Sequence, residues 1–180
     1  MKMLSAAGYK VSGCDVDEEC VRLSRRYGRV DKIDIKEISQ NTLDDTFDCI
    51  IMSHVLEHVE NPKAILEHVA GLSDGLLVIS VPNPYYTPYV LKSLLRLKVG
   101  YVNEKHLYSW DWYHFKTFAE MGCGLELIDY CYDSVALPIP YRTRAFLGNM
   151  GWLKPLEYGF LRAIIPRFCT SITAVLRNKD

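Results

Sequence analysis

Apolar and polar positions alternate over residues 9–14 (Tyr-Lys-Val-Ser-Gly-Cys), the period-two signature of a short strand. Asp17 follows as a helix N-cap, with Cys20, Val21, Ser24 and Tyr27 at helical spacing and Gly28 as the stop. Residues 29–35 offer a weak further strand. A polar stretch then leads into Phe47-Asp48-Cys49-Ile50-Ile51-Met52-Ser53, apolar enough to predict a buried strand. Asn61 and Pro62 are N-cap and first position of the next helix, which carries Ile65, Leu66 and Val69 in one stripe and ends at Gly71. Residues 76–81 (Leu-Leu-Val-Ile-Ser-Val) form the clearest buried strand, stopped by Pro82-Asn83-Pro84.

Past residue 84 the rhythm changes. Thr87-Pro88 opens a helix with Val90, Leu91, Leu94 and Leu95 as its apolar residues, Lys92 and Arg96 on another face, and Gly100 as stop. Ser109 is the expected cap of a helix ending at Gly122, with Trp110, Trp112, Tyr113, Phe115 and Phe118 as core. Residues 125–132 alternate as a strand, 137–168 form a long aromatic insertion punctuated by Pro, and 171–177 a last strand. Strand–helix alternation with continuously apolar strands predicts an α/β fold, a parallel sheet covered by helices on both faces. The reading is one domain over 1–180, with a first half (1–83) and a second half (84–180) that carries insertions at 84–105 and 137–168.

Composition narrows the function classes. In 180 residues, 49% are hydrophobic, enough to bury a core and to exclude disorder. Charges nearly cancel, 21 basic against 22 acidic, so nothing favours wholesale nucleic-acid binding. No apolar run of about 18 residues spans a bilayer, and the start lacks the apolar segment of a secretory signal. The six Cys, at 14, 20, 49, 123, 131 and 169, form no C-x-x-C and suggest a reduced, cytoplasmic protein with buried thiols.

Candidate chemistry gathers at strand ends. In Gly13-Cys14-Asp15-Val16-Asp17, a carboxylate after a strand and before a helix can accept both hydroxyls of a nucleotide ribose. Asp15 and Asp17 can equally serve as helix caps, and Asp17 is the better placed for that. Asp34 follows the next strand, where a carboxylate can accept from an adenine amino group. His54-Val55-Leu56-Glu57-His58-Val59 comes after the apolar strand. His54 and His58 can act as general base with Glu57 orienting one of them, or all three can simply pack around the crevice. H-x-x-E-H also matches a zinc-protease pattern, but that needs both His on one helix, and this motif straddles a strand end. Glu57, His58 and a later His could instead take a Mg²⁺-type cation. His106 lies on a loop before a helix and can face the same crevice. Lys92, Arg96, Lys98 and Lys105 give the adjoining helix a basic side that suits an anionic or lipid-linked substrate, or merely solvent.

In sum, the chain resembles the class I S-adenosylmethionine-dependent methyltransferases. Three segments carry the likeness in order: residues 8–17, residues 47–59 with Asn61-Pro62, and residues 75–83, followed more weakly by His106-Leu107-Tyr108-Ser109 and residues 121–127. The resemblance implies a Rossmann-like three-layer sandwich with S-adenosylmethionine as cofactor, a cofactor-binding half over 1–83 and an acceptor-side half over 84–180. It implies Asp15 at the ribose hydroxyls with Val16 as a further cofactor contact, Asp34 and Ile35 at the adenine, and Ser53 and His54 beside the methionine part. The catalytic candidates are His54, Glu57, His58 and His106. Ubiquinone-pathway and small-RNA O-methyltransferases place a metal with E-x-x-E-H and sometimes a distant His. Here His54 replaces the first Glu, followed by Glu57, His58 and His106 as the distant His, and that replacement counts against a divalent metal.

One departure from the family pattern is large. The expected first strand and its G-x-G-x-G loop are missing, and the chain begins near the end of the following helix, at residues 1–7. Gly122-Cys123-Gly124 cannot substitute, because it follows a helix and precedes a strand. The implied function is methyl transfer to a small-molecule, glycan or lipid-linked hydroxyl, with peripheral membrane contact compatible and no nucleic-acid partner. Two rivals stay open: a degenerate relative serving as an interaction module through an open sheet edge, and another nucleotide-binding Rossmann enzyme such as a dehydrogenase.

Overall fold

The computed structural model of the chain describes residues 1–34, 46–97 and 106–179. It comprises two compact units, residues 1–45 and 46–180.

The first unit holds α1 (Lys2–Ala6), β1 (Ser12–Asp15), α2 (Glu18–Ser24) and β2 (Arg29–Lys32). β1 and β2 pair in parallel, from Ser12 opposite Arg29 to Asp15 opposite Lys32. α2 starts where it does because Asp17 Oδ1 accepts from the Cys20 amide at 2.8 Å, filling one orphan donor of the first turn. Glu18 and Glu19 add negative charge at the positive end of the helix. Of the expected apolar stripe only Val21 is buried. Gly28 permits a close approach: a Cβ there would lie 2.0 Å from the Val11 carbonyl oxygen.

The second unit is built on a four-stranded sheet in the order β3 (Phe47–Ser53), β4 (Ser73–Pro82), β6 (Ser171–Asn178), β5 (Leu125–Tyr132). β4 runs parallel to β3, while β6 is antiparallel to both β4 and β5, so three of the four strands share one direction. The fold is α/β with a mostly parallel sheet, as the pattern predicts, and a helical insertion precedes the last strand. β4 alternates: Leu77, Ile79 and Val81 are fully buried, as are Ala174 and Leu176 of β6. α3 (Pro62–Gly71) contributes Ile65, Leu66, Val69 and Ala70 to the core. Its N-cap is Asn61, whose Oδ1 accepts from the Ala64 amide at 3.1 Å.

Several expectations fail, each for a physical reason. β3 keeps its predicted bounds but buries only Met52: Asp48, Cys49 and Ser53 are exposed and Ile51 is 52% exposed. Its apolar sequence suits a strand flanked on both edges, yet among the described residues β3 pairs with β4 alone. α4 (Thr87–Leu94) has no buried residue, so its apolar stripe faces outward. The helix after residue 109 is capped by Asp111, not Ser109. Asp111 Oδ1 accepts from the Tyr113 and His114 amides and opens α5 (Trp112–Thr117), which relaxes into a wider π-type turn over Phe118–Gly122. Of that aromatic run Trp110 and Phe115 are buried, while Tyr113 is exposed. The thiols are all free, but only Cys169 is buried. Among the described residues no helix is long and apolar enough to cross a membrane.

The insertion contains α6 (Tyr141–Asn149), a π-type turn at Pro155–Phe160 running into α7 (Leu161–Ile164), and a short turn at Pro166–Phe168. Buried Glu157 holds it together. Its carboxylate accepts from Arg144 at 2.9 and 2.6 Å and from the Leu137 amide at 2.7 Å. A two-pronged pair with a third donor satisfies a carboxylate that burial would otherwise penalise.

Candidate active site

At the carboxyl end of β3 the chain turns sharply. His54 has φ of 56°, left-handed backbone that costs a β-carbon-bearing residue on the order of 1–3 kcal/mol. Three contacts hold it there. Its amide donates to Ser80 O at 2.9 Å, extending the β3–β4 ladder by one rung. Its Nε2 lies 3.2 Å from Ser171 Oγ, and its Nδ1 lies 3.3 Å from Glu57 Oε1.

The turn Leu56–His58 then points Glu57 inward. Glu57 is completely buried, and neither carboxylate oxygen has a hydrogen-bond partner. The 3.3 Å approach of His54 is within ion-pair reach but outside hydrogen-bond geometry. A bare carboxylate in the interior is costly and demands positive charge nearby. Imidazoles surround it: His54 on one side, His58 Nε2 at 4.0 Å, and His106. His106 arrives from a distant loop because Leu107 N donates to Glu57 O at 2.7 Å, and Tyr108 Oη donates to Glu60 O at 2.8 Å. The His58 and His106 rings meet edge to face, with centroids 4.7 Å apart.

The histidines differ electrostatically. Proximity to Glu57 raises the pKa of His54 above its ordinary value, outweighing the opposite push of partial burial. Burial lowers the pKa of His106, with His58 and His54 adding to the effect against the pull of Glu57. One group is thereby biased toward the cation and another toward the neutral base. One ligand atom each from Glu57, His58 and His106 can be chosen so that all lie within 4.8 Å of one another. Two imidazoles and a carboxylate are a donor set for a divalent transition metal.

Beside His106 a small cavity of about 120 Å³ is lined by Pro82, Asn83, Pro84, Tyr89 and residues 106–109. Asn83 fixes its floor. Buried, it donates to Arg167 O at 2.8 Å and Cys169 O at 3.0 Å and accepts from the Tyr85 amide at 3.1 Å.

The first unit carries its own candidates. Asp15 ends β1 with its carboxylate exposed, accepting from the Asp17 amide at 2.9 Å, while Asp17 is the cap of α2. The choice left open between these two as cap thus falls on Asp17, and Asp15 keeps a carboxylate available. Val16 is 57% exposed beside it. Asp34 follows β2 in the same unit, where Ile33 N donates to Asp15 O at 3.2 Å; Ile35 lies outside the described residues. Ser53 and His54 sit together at the end of β3. The structure therefore gathers His54, Glu57, His58 and His106 from two remote stretches of sequence. Ser171 was missed, and Asn83 was read only as part of a strand stop and of the family likeness, because their partners lie far along the chain.

A profile of the family described as "Methyltransferase domain" matches residues 1–124. The chain belongs to that methyltransferase family. Solved structures agree on the fold. The magnesium protoporphyrin IX methyltransferase of Synechocystis PCC 6803, with bound S-adenosylhomocysteine, superposes with a TM-score of 0.60 at 17% identity, over 98% of this chain and 68% of that one. For an S-adenosylmethionine-dependent methyltransferase from Archaeoglobus fulgidus the values are 0.57, 16%, 98% and 80%. A plantazolicin methyltransferase bound to a triazolic desmethyl analogue and S-adenosylhomocysteine gives 0.61, 16%, 99% and 72%. No curated protein sequence matches the chain. The chain is thus a methyltransferase-family member that shares its fold with S-adenosylmethionine-dependent methyltransferases, and the Glu57 cluster lies at the carboxyl end of a parallel strand, where open α/β sheets place ligands.

Proposed function

We propose that this methyltransferase moves the methyl group of S-adenosylmethionine to a hydroxyl oxygen of a small-molecule, glycan or lipid-linked acceptor. The observation that carries the reading is the buried Glu57 carboxylate ringed by His54, His58 and His106 at the end of β3. The cofactor supplies a sulfonium methyl that the acceptor oxygen attacks in line, the C–S electron pair leaving with sulfur. Positioning therefore supplies much of the rate, and the chain's remaining task is the hydroxyl proton.

His106 is the base in this reading. It borders the cavity by Asn83 and Tyr108, and its lowered pKa keeps it neutral and able to accept. Glu57 stabilises the imidazolium that forms, and His54 supports Glu57 from the other side while lining the pocket with Ser53. In the first unit, Asp15 takes the ribose hydroxyls with Val16 as a further cofactor contact, and Asp34 takes the adenine. Competition binding tests the cofactor class: labelled S-adenosylmethionine should be displaced by S-adenosylhomocysteine and not by NAD. Displacement by NAD would move the chain to the dehydrogenase reading.

A second reading rests on the tight grouping of the Glu57, His58 and His106 ligand atoms. A divalent cation held there would polarise the acceptor oxygen and lower its pKa. Calorimetric titration with Mn²⁺ distinguishes the two. Binding abolished by Glu57→Gln and by His106→Ala supports a metal centre, and heat unchanged by either leaves the proton-transfer reading alone.

A further inference from the structure

The insertion between β5 and β6 presents a surface that includes no residue of the Glu57 cluster. Six large side chains on it, Phe146, Met150, Trp152, Tyr158, Phe160 and Ile164, are each between 52% and 70% exposed. Apolar Trp152, Leu156, Phe160 and Ile164 recur every four residues through this segment, interleaved with Lys154, Tyr158 and Arg162. Where α6 meets that run, Leu147, Met150, Trp152, Leu153 and Leu156 line an open apolar groove of about 310 Å³.

The charges on this segment are lopsided. Residues 137–168 contain five basic side chains and one acid, in a chain whose net charge is −1. The acid, Glu157, is buried against Arg144. The remaining charged groups, Arg142, Lys154, Arg162 and Arg167, are all exposed cations.

We infer that this face docks on the surface of an anionic phospholipid bilayer. Trp, Tyr and Phe interleaved with Lys and Arg, with no exposed acid among them, is the composition of a segment lying in the headgroup region. The aromatic side chains enter the acyl boundary, the groove accepts a lipid tail, and the cations meet phosphate and serine headgroups. A second copy of the chain fits less well. A two-fold pairing through the same patch would gather the exposed cations of both copies into one interface with no exposed acid of the insertion to offset them. The inference does not depend on the methyl-transfer reading, since it uses none of the residues of the Glu57 cluster.

Co-sedimentation of the full chain with vesicles tests it, using phosphatidylcholine alone or mixed with phosphatidylserine. Serine-containing vesicles should bind at least about tenfold more tightly, and the difference should shrink as salt rises. Lys154→Glu with Arg162→Glu should remove that preference, and Trp152→Ser with Phe160→Ser should weaken binding at every salt concentration. All four side chains are exposed, so both variants should keep the wild-type circular dichroism spectrum. Tryptophan emission should shift to the blue on vesicle addition, and Trp152→Phe should abolish the shift. Equal or absent binding to the two vesicle types overturns the proposal. So does a dimer, seen by light scattering, that Trp152→Ser dissociates, because the face would then belong to a second copy.

Discussion

The Nδ1 atom of His54 stands 3.3 Å from Oε1 of Glu57, and that carboxylate is buried with no hydrogen bond to either oxygen. A strained residue and an unsatisfied acid thus sustain each other: the charge of Glu57 favours the His54 imidazolium, and the imidazolium offsets the cost of burying Glu57.

The pH dependence of that pair follows from the sign of the shift. The folded pKa of His54 is raised, so the pair's stability contribution is fully present below the unfolded value of about 6.5. It is lost as pH rises through the folded pKa. NMR titration of the imidazole nitrogens should place His54 above about 6.5, and Glu57→Gln should bring it back down. An unmoved His54 in that variant would show that Glu57 is not its partner.

Capping is a second point of attack. Asp111→Ala removes the acceptor for two first-turn amides and should cost about 1 kcal/mol in urea unfolding. Ser109→Ala should change stability by less than about 0.5 kcal/mol. The reverse ranking would restore Ser109 as the cap.

How much was readable in advance varies with the range of the interaction. β3, α3 and β5 were legible to the residue, because alternation, an Asn-Pro start and a Gly stop are local signals. The motif residues 54, 57 and 58 were legible too, being contiguous with β3. What sequence could not show was burial that depends on distant neighbours. β3 reads as interior from its apolar run yet lies half open, and α4 reads as amphipathic yet buries nothing. The Ser171 contact to His54 spans 117 positions and the Asn83 contacts span more than 80. No periodicity carries such information.

The insertion should depend on its internal ion pair. Arg144→Met leaves Glu157 buried without its two-pronged partner and should destabilise the chain by about 2 kcal/mol. That figure sits below the range for fully buried pairs because the Arg144 side chain is 37% exposed. Arg144→Met with Glu157→Leu should recover part of the loss. If the single variant unfolds at the wild-type denaturant midpoint, the pair does not hold the insertion.

Thiol reactivity should follow position in the fold. Mass-spectrometric mapping after brief alkylation should find Cys14, Cys20, Cys49 and Cys131 modified first, since all four are exposed. Cys123, whose thiol burial pushes up to about 11, and buried Cys169 should lag. Early modification of Cys169 would mean that the packing between Asn83 and β6 is looser than described.

We propose Asp15 as the ribose anchor of the cofactor, and calorimetric titration with S-adenosylhomocysteine tests this most directly. Wild-type chain should bind, and Asp15→Ala should weaken binding by at least about tenfold, the loss of a charge-assisted pair of hydrogen bonds. Absence of binding to the wild type, or equal affinity for the Asp15→Ala variant, would contradict the account.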